Sequence, residues 1–376
     1  MMKIAFVSDV IYPYVKGGVE KRIRELAVRL SARGHDVHII GMKYWEGPDS
    51  LRMDDGVTLH GVCPAQPLYA HGRRTLFEAL YFSIRLIPFL VREGFDIIDC
   101  QQFPYFPCFS VKLVSVMKKK PFVVTWHEVW GDYWYEYLGW KGALGKTTER
   151  LVSGLTPNTI AVSGITAKKL QRLGVRDEVR IIPNGIDPGQ LKSVLPSVES
   201  SDIIFVGRLI KEKHVDVLVR AFEVLLKESP DHSLLILGNG PERETIMSLV
   251  RDLAIGDRVR FNPFLDSHDE VISLIKSSHV CVIPSTREGF GIAALEALAC
   301  GLPVVTADHP DNAIRELITK ETGFLASLSA EDLEEKIKAA LEQYPEMMKA
   351  CRESAARYDW DRIVPELECY YQLLAF

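Results

Sequence analysis

Short apolar runs alternate with amphipathic segments along the whole chain. Lys3–Val7 predicts a buried strand, and Val19–Ala32 carries apolar residues at helical spacing before a helix stop at Gly34. Further strands are expected at Val37–Gly41, Asp96–Cys100, Phe122–Trp126, Ile160–Val162 and Arg180–Ile182. Strands alternating with helices indicate an α/β protein whose parallel sheets are built of βαβ units.

The alternation stops near residues 181–201 and then restarts. Pro183–Gly189 is dense in turn-forming residues, and Leu195–Asp202 is polar without periodicity. The second series predicts strands at Ile203–Val206, Ser233–Leu237 and Val259–Phe261, and helices at Val215–Glu228, Glu242–Leu253 and Asp269–Ser277. We therefore expect two doubly wound domains facing a cleft, 1–185 and 186–357, and a C-terminal helix, 358–376, packing at their junction.

The segment from Pro284 to Ala307 predicts a loop, a helix and a strand, and it follows an apolar strand. Glu288 and Glu296 lie eight positions apart across the junction of loop and helix. Their carboxylates can accept hydrogen bonds from sugar hydroxyls, and the backbone N–H groups at the helix start can donate to phosphate. This junction is the first candidate for a ligand site.

Two cations follow the first strand of the second domain. Gly207 and Arg208 end that strand, and Lys213 comes shortly before the next helix. Cations at a helix start oppose the helix dipole, which argues against a purely structural role. A guanidinium fork and an ammonium group can together hold a diphosphate and stabilise charge on a departing nucleotide.

The first domain offers weaker signals. Gly17 and Gly18 precede a helix, where they either let the backbone approach a phosphate or form an ordinary turn. His127 directly follows the strand Phe122–Trp126, which would place it at the mouth of the cleft, although a lone histidine is also commonly structural. The pattern G-x-G-x-x-G is absent from the first of these loops, so a dinucleotide site is not indicated.

The charge is uneven along the chain. The net formal charge is −5, with +7 in residues 1–180 and −12 in residues 181–376. A basic half can attract an anionic lipid surface, or it can be an unevenly charged solvated surface. The apolar helix Thr75–Arg92, preceded by Arg73 and Arg74, is either a core helix or one that docks on lipid, and the aromatic residues of 126–140 divide between core and acceptor side.

Several classes are excluded by what the sequence lacks. No apolar run of 18 residues is present, and the seven cysteines are scattered without a Cys-x-x-Cys pair. The apolar run near Met1 is too short for a signal peptide, and we expect a buried strand there instead. We therefore expect a cytoplasmic protein with reduced cysteines, either free in the cytoplasm or peripheral at the inner face of the membrane. Asp359-Trp-Asp361 opens a helix, which favours an N-cap over a metal ligand, and no other ligand spacing appears, so no metal or cofactor is expected.

Together these motifs resemble the retaining glycosyltransferases of family 4, which have the GT-B fold. The resemblance covers nearly the whole chain, from the segment Ser8–Glu20 through Ile182–Asp187 and Val206–Leu209 to the helix after Tyr358. Its specific part is Glu288-Gly-Phe-Gly, then Glu296 and the trailing Cys-Gly-Leu-Pro-Val-Val. The resemblance implies transfer of a hexosyl or N-acetylhexosaminyl group from a nucleotide diphosphate sugar to a lipid-linked or saccharide acceptor.

The resemblance also implies a role for each matching residue. Gly17 and Gly18 would approach the donor phosphates, and Arg208 and Lys213 would bind the diphosphate. Glu288 would bind the hydroxyls of the transferred sugar, Glu296 those of the ribose, and His127 would lie near the reacting carbon. The remaining donor-binding residues implied are Gly207, Phe264, Gly289, Phe290, Gly291 and Ile292.

Two departures from the family pattern leave the donor open. Asn262-Pro263-Phe264 replaces a glycine-containing loop where the nucleotide base stacks, and Ala307–Asn312 replaces a Gly-Gly-x-Pro-Glu loop. A UDP-sugar is expected in preference to a GDP-sugar, with no nucleic-acid partner. The alternatives are a nucleotide-sugar epimerase on the same fold and a non-catalytic protein that binds a nucleotide sugar.

Overall fold

The computed structural model describes residues 1–70, 73–265 and 267–375, so Phe376, the last residue of the predicted C-terminal helix, lies outside the described residues. The chain forms two compact units. The first comprises Met1–Asn184 together with Trp360–Phe376, and the second comprises Gly185–Asp359.

The first unit is built on one large sheet. Its strands are β1 (Lys3–Val7), β2 (Asp36–Lys43), β3 (Ser50–Arg52), β4 (Thr58–Pro64), β5 (Tyr69–Ala70), β6 (Arg73–Arg74), β7 (Ile97–Gln101), β8 (Phe122–Trp126), β9 (Thr159–Ala161) and β10 (Val179–Ile181). Its helices are α1 (Gly18–Ala32), α2 (Leu76–Arg92), α3 (Phe106–Lys118), α4 (Tyr133–Leu138), α5 (Gly142–Ser153), α6 (Gly164–Leu173) and the C-terminal helix, labelled α13 (Trp360–Ala375).

The strand order of this sheet is β10-β9-β8-β7-β1-β2-β4-β3, and every pair is parallel except β3 with β4. β5 and β6 form a separate antiparallel pair. The chain runs outward from β1 on one side and then returns to place β7 on the other side. Loops that leave neighbouring parallel strands in opposite directions open a crevice at their carboxyl ends. Here that crevice lies at the ends of β1 and β7.

The second unit repeats this arrangement with fewer strands. Its strands are β11 (Ser201–Val206), β12 (Leu234–Leu237), β13 (Val259–Asn262), β14 (Ser278–Ile283), β15 (Val304–Ala307) and β16 (Gly323–Ala326). Its helices are α7 (Pro188–Ser193), α8 (Val215–Glu228), α9 (Arg243–Asp252), α10 (His268–Lys276), α11 (Ile292–Cys300) and α12 (Ala330–Ala355). The strand order is β13-β12-β11-β14-β15-β16, and all neighbouring strands are parallel. The chain adds β12 and β13 on one side of β11 and then adds β14, β15 and β16 on the other side, so the strand order reverses between β11 and β14.

The predicted fold class is confirmed, because both units contain a doubly wound parallel sheet. The predicted strand Phe122–Trp126 and helix Val215–Glu228 have the bounds that the structure gives to β8 and α8. The sequence pattern did not predict β4, β16, α3 or α12. These elements extend the two sheets and cover them without changing their class.

The C-terminal helix α13 belongs to the first unit. The ring of Tyr371 packs against Phe6 with 6.4 Å between centroids, and its hydroxyl donates to the buried carboxylate of Asp99. Glu368 hydrogen-bonds His35 across 2.7 Å and Arg33 across 2.5 Å. These contacts join the last helix to β1, to β7 and to the turn between α1 and β2.

Within the described residues, none of the helices combines the length and apolar character needed to cross a membrane.

Candidate active site

In the second unit, the loops after β11 and β14 bring Lys213 and Glu288 together. The Lys213 ammonium group forms an ion pair with Glu288 Oε1, and Ser285 Oγ donates to the same oxygen across 3.0 Å. The side chains of Lys213 and Glu288 are only 14% and 15% exposed. A cation and a carboxylate therefore lie side by side after β11 and β14, the neighbouring strands at which the strand order reverses. The carboxyl ends of such strands are the usual place for a ligand in sheets of this kind.

Two further hydrogen bonds hold these loops against each other. The Thr286 N–H donates to the Glu212 carbonyl across 3.0 Å, and a ring nitrogen of His214 lies 2.9 Å from Thr286 Oγ1. Residues 212 and 214, on either side of Lys213, are thus hydrogen-bonded to the loop that carries Glu288. This fastening sets the separation between the Lys213 ammonium group and the Glu288 carboxylate.

The backbone of Glu288 is held by the loop that departs from the family pattern. The Glu288 N–H donates to the backbone carbonyl of Asp311, and the Glu288 carbonyl accepts from the backbone N–H of Ala313, each across 3.0 Å. The buried Asn312 side chain fixes that loop by donating to Thr306 Oγ1 and to the Ala307 carbonyl. The replacement loop therefore supports Glu288 through its backbone.

Gly291 and Glu296 lie at the start of α11. Gly291 has φ +94°, a conformation that favours glycine, and the helix begins at Ile292 directly after it. Glu296, one turn further along, is buried, and its carboxylate lies 3.3 Å from the His268 ring. The first N–H groups of a helix have no intrahelical acceptor, so the start of α11 offers backbone donors in the segment between Glu288 and Glu296.

Arg208 and Phe264 remain apart from this group. Among the described residues, no ion pair or hydrogen bond joins Arg208 to Lys213 or Glu288, and its side chain is exposed just past β11. Phe264 is 49% exposed after β13. Gly207 packs against Gly238, where a β-carbon would lie 1.9 Å from the Gly207 carbonyl oxygen, so glycine is required there.

In the first unit, the predicted residues lie at the carboxyl edge of the sheet. Gly17 is the N-cap of α1 and Gly18 its first residue, and the Gly17 carbonyl accepts from the Lys21 N–H across 3.0 Å. His127 follows β8, its backbone N–H donates to Gln102 Oε1 across 2.9 Å, and its Nε2 lies 2.7 Å from Gln101 Oε1. Burial, with a smaller effect of Arg22, lowers the pKa of His127 to about 3, so its ring is neutral near pH 7.

Sequence reasoning missed a buried polar network beside His127. Arg22, on α1, donates to the carbonyls of Ile182 and Pro183 and to Asn184 Oδ1. Burial lowers its pKa to about 10, opposed by the negative charge of Asp99. Asp99 itself accepts from Thr125, Gln101 and Tyr371. Gln101 had a detectable signal, since it ends β7 as His127 follows β8, but Arg22 and Tyr371 had none.

Burial of two histidines predicts that the first unit loses stability in mild acid. Burial is the main cause that lowers the pKa of His60 to about 4 and that of His127 to about 3, from 6.5. Between pH 6.5 and pH 4 the unfolded chain therefore binds protons that the folded chain does not, and stability falls as the pH falls. For His60 the loss is about 2 kcal/mol at pH 5.

The measurement is urea unfolding at pH 7 and pH 5 for the wild type and His60→Gln. Titrations common to both proteins cancel in the comparison, so the variant should lose less stability on acidification. An equal loss in both proteins would contradict the assigned pKa of His60.

Across residues 1–70, 73–265 and 267–375, no group of three or more His, Cys, Asp or Glu side chains is placed to hold a metal ion.

Comparison with known families identifies the class of protein. The model of glycosyltransferase family 4 matches residues 16–190, and the model of glycosyl transferases group 1 matches residues 190–358. The two matches together span nearly the whole chain and meet near the boundary between the two units. The chain belongs to these families and is a glycosyltransferase of the GT-B fold.

Individual relatives agree with this assignment. The chain is 27% identical over 351 residues to one component of the human phosphatidylinositol N-acetylglucosaminyltransferase, covering 90% of this chain and 68% of that protein. Sucrose-phosphate synthase from Thermosynechococcus elongatus superposes with a TM-score of 0.81 at 24% identity, covering 100% and 99% of the two chains. Anabaena HepE, solved in complex with UDP and glucose, has a TM-score of 0.77 at 18% identity, covering 99% and 100%.

Proposed function

We propose that this glycosyltransferase moves a sugar from a nucleotide diphosphate donor to an acceptor with retention of anomeric configuration and without a metal ion. The observation that carries the proposal is the ion pair of Lys213 with Glu288 in the loops after β11 and β14, where the strand order of the second sheet reverses. Lys213 would bind the donor diphosphate and Glu288 the hydroxyls of the transferred sugar. Arg208 would reach the diphosphate from the end of β11, and Glu296 would accept from the ribose hydroxyls.

The proposed chemistry uses the cations of the site and requires no general acid or base from the protein. The bond between the anomeric carbon and the diphosphate oxygen breaks, and the acceptor oxygen bonds to that carbon on the same face. The acceptor proton passes to the departing phosphate oxygen, while Lys213 and Arg208 stabilise the developing charge. His127 is neutral near pH 7, so it would contact the sugar as an uncharged group.

The base of the donor is proposed from less direct support. HepE, which shares the fold, binds UDP and glucose, and this favours a UDP-sugar over a GDP-sugar here. The exposed Phe264 ring would stack on the base, next to Pro263, which has no N–H to donate. Gly17 and Gly18 would approach the donor phosphates from the first unit.

A lipid-linked acceptor is favoured by one surface of the first unit. Helices α2 and α3 touch through Ser83 and Ser110, whose hydroxyls lie 2.7 Å apart. They expose the following apolar side chains, here called the α2–α3 surface: Leu76, Phe77, Leu80, Ile84, Val91, Leu113, Val116 and Met117. The opposite side of α2, including Phe82 and Leu86, packs in the core, and the exposed side is the one that we propose docks on lipid.

The charges around this surface match an anionic lipid. The acidic residue of α2, Glu78, is fully buried, and α3 has none, whereas Arg85 and Arg92 are exposed. The exposed charges on these two helices are therefore all positive. They suit the phosphate headgroups of a membrane whose hydrocarbon layer would take up the exposed apolar side chains. We propose peripheral contact with the cytoplasmic face of a membrane, and the human relative, named for phosphatidylinositol, supports a lipid acceptor.

We expect the protein to float with phosphatidylglycerol vesicles and not with pure phosphatidylcholine vesicles. Phe77 and Ile84 are 69% and 66% exposed, and each contributes about 1.5–3 kcal/mol when buried. Phe77→Glu/Ile84→Glu should therefore weaken binding at least about tenfold. Val198→Glu, a matched change at an exposed apolar residue of the second unit, should leave binding unchanged. Equal flotation of the wild type and the double variant would refute this membrane surface.

A thermal-shift panel of UDP, GDP and their sugars tests the donor. A ligand at 100 times its Kd adds about 2.7 kcal/mol of stability. Mass and NMR analysis of the sugar nucleotide then separates the alternatives, because an epimerase changes the sugar without an acceptor, and a non-catalytic protein binds without releasing free nucleotide. Stabilisation by no nucleotide would count against the proposed donor site.

A further inference from the structure

The Gln101 side chain contacts the His127 ring at Nε2, where it can determine which tautomer the neutral ring adopts. Its side-chain amide lies between two groups, with Oε1 2.7 Å from His127 Nε2 and Nε2 3.1 Å from Asp99 Oδ1. An amide presents acceptor and donor on opposite sides, so the group that one side meets fixes what the other side offers.

The Asp99 side determines the orientation of the amide. Asp99 is enclosed, and burial raises the pKa of its carboxyl; the hydrogen bonds that it accepts from the Tyr371 hydroxyl and from Thr125 Oγ1 (2.7 Å) and the positive charge of Arg22 oppose that rise and favour the carboxylate. A carboxylate with these neighbours is an acceptor, and so the Gln101 NH₂ group must face it. Turning the amide over would place the Gln101 oxygen against the carboxylate oxygen and take from the buried carboxylate the hydrogen bond that Gln101 donates to it.

We propose that Gln101 is a positioning residue that holds His127 as the Nε2–H tautomer and leaves Nδ1 as a bare acceptor. Nε2–H donates to Gln101 and holds the ring, and the backbone N–H donates to Gln102 and holds the main chain of His127. The inference rests on the proposed function in one respect, that Nδ1 accepts a hydrogen bond from a hydroxyl of the transferred sugar. His127 then acts as an acceptor toward the donor sugar and gives it no proton.

The tautomer is measured by long-range ¹H–¹⁵N correlation of the His127 ring, assigned by comparison with His127→Gln. The wild type should show hydrogen on Nε2 at neutral pH. Gln101→Met, which keeps the volume and removes the acceptor, should lose that preference. Gln102→Met is the matched control, because it removes the bond to the backbone of His127 and leaves the ring contact, so its tautomer should match the wild type.

A second variant keeps the test decisive if Gln101→Met does not fold. In Asp99→Asn/Gln101→Glu the amide and the carboxylate exchange places, so a carboxylate oxygen again faces the ring and the Nε2–H tautomer should be retained. In turnover, Gln101→Met should lower kcat on the order of 10–100-fold while KM for the donor changes less than about threefold, and the exchanged pair should recover part of the rate.

The outcomes separate this inference from the proposed function. A wild-type ring with hydrogen on Nδ1, or equal tautomer changes in Gln101→Met and Gln102→Met, would overturn the assignment even in an active enzyme. An Nε2–H ring in a protein that turns over no nucleotide sugar would leave the assignment standing and defeat the proposed function.

Discussion

Lys213→Met should lower the rate of nucleotide release from the donor about 10²–10³-fold. Removing one electrostatic donor from a developing negative charge costs about 2.7–4 kcal/mol of transition-state stabilisation. Lys213 is largely buried against Glu288, so solvent screens its charge less than that of an exposed lysine. The measurement is kcat/KM for release of free nucleoside diphosphate.

Lys211→Met is the matched control for this prediction. Lys211 lies in the same short helical turn, Lys211–Lys213, but its side chain is exposed. Its replacement removes the same charge and should change the rate less than about twofold, as screened surface charges do. Equal losses in the two variants would assign the effect to overall charge and not to a diphosphate contact.

Gly291→Ala should destabilise the second unit by about 2–5 kcal/mol and abolish donor binding. A β-carbon at Gly291 would lie 2.3 Å from Cγ1 of the fully buried Ile314, and φ +94° is strained for any residue with a side chain. Left-handed strain costs about 1–2 kcal/mol and overpacking about 1–3 kcal/mol. Relief of either strain would move the start of α11 relative to Glu288.

Thermal unfolding and nucleotide titration measure these two effects. The Tm of the second unit should fall by about 5–15 °C. Gly256→Ala is the control, since its added β-carbon would meet nothing within 4 Å and Gly256 has an ordinary φ. An unchanged Tm together with wild-type nucleotide affinity in Gly291→Ala would contradict the close packing at the start of α11.

The alternation of apolar and amphipathic segments was enough to predict the class of the fold, because buried parallel strands are short and strongly apolar. The missed elements lack that signal. β16 is four residues long and begins with Gly323, and β4 contains Gly61 and the polar residues Thr58 and His60. Helix α12 contains Pro345, which the pattern favours as a break.

The residues of the candidate site also fall into two groups, those that a local sequence pattern predicts and those that it does not. Residues that follow a strand or begin a helix, such as Glu288 and His127, can be found from the sequence because topology places such positions at one edge of a sheet. Their partners depend on packing between distant segments. Lys213 and Glu288 are 75 positions apart, and Tyr371 and Asp99 are 272 apart. No local pattern predicts such pairs.

Metal-free transfer with retention can be followed in one reaction, that of a UDP-sugar of α configuration with the protein in metal-free buffer, by ¹H NMR. We expect the donor signal to fall and free UDP to rise in equal amount. The first sugar product, whether transferred or slowly hydrolysed, should have the α configuration. Lys213→Met should leave the donor intact over the same period. A first product of β configuration, or a changed sugar nucleotide without release of UDP, would show that the proposed reaction is wrong.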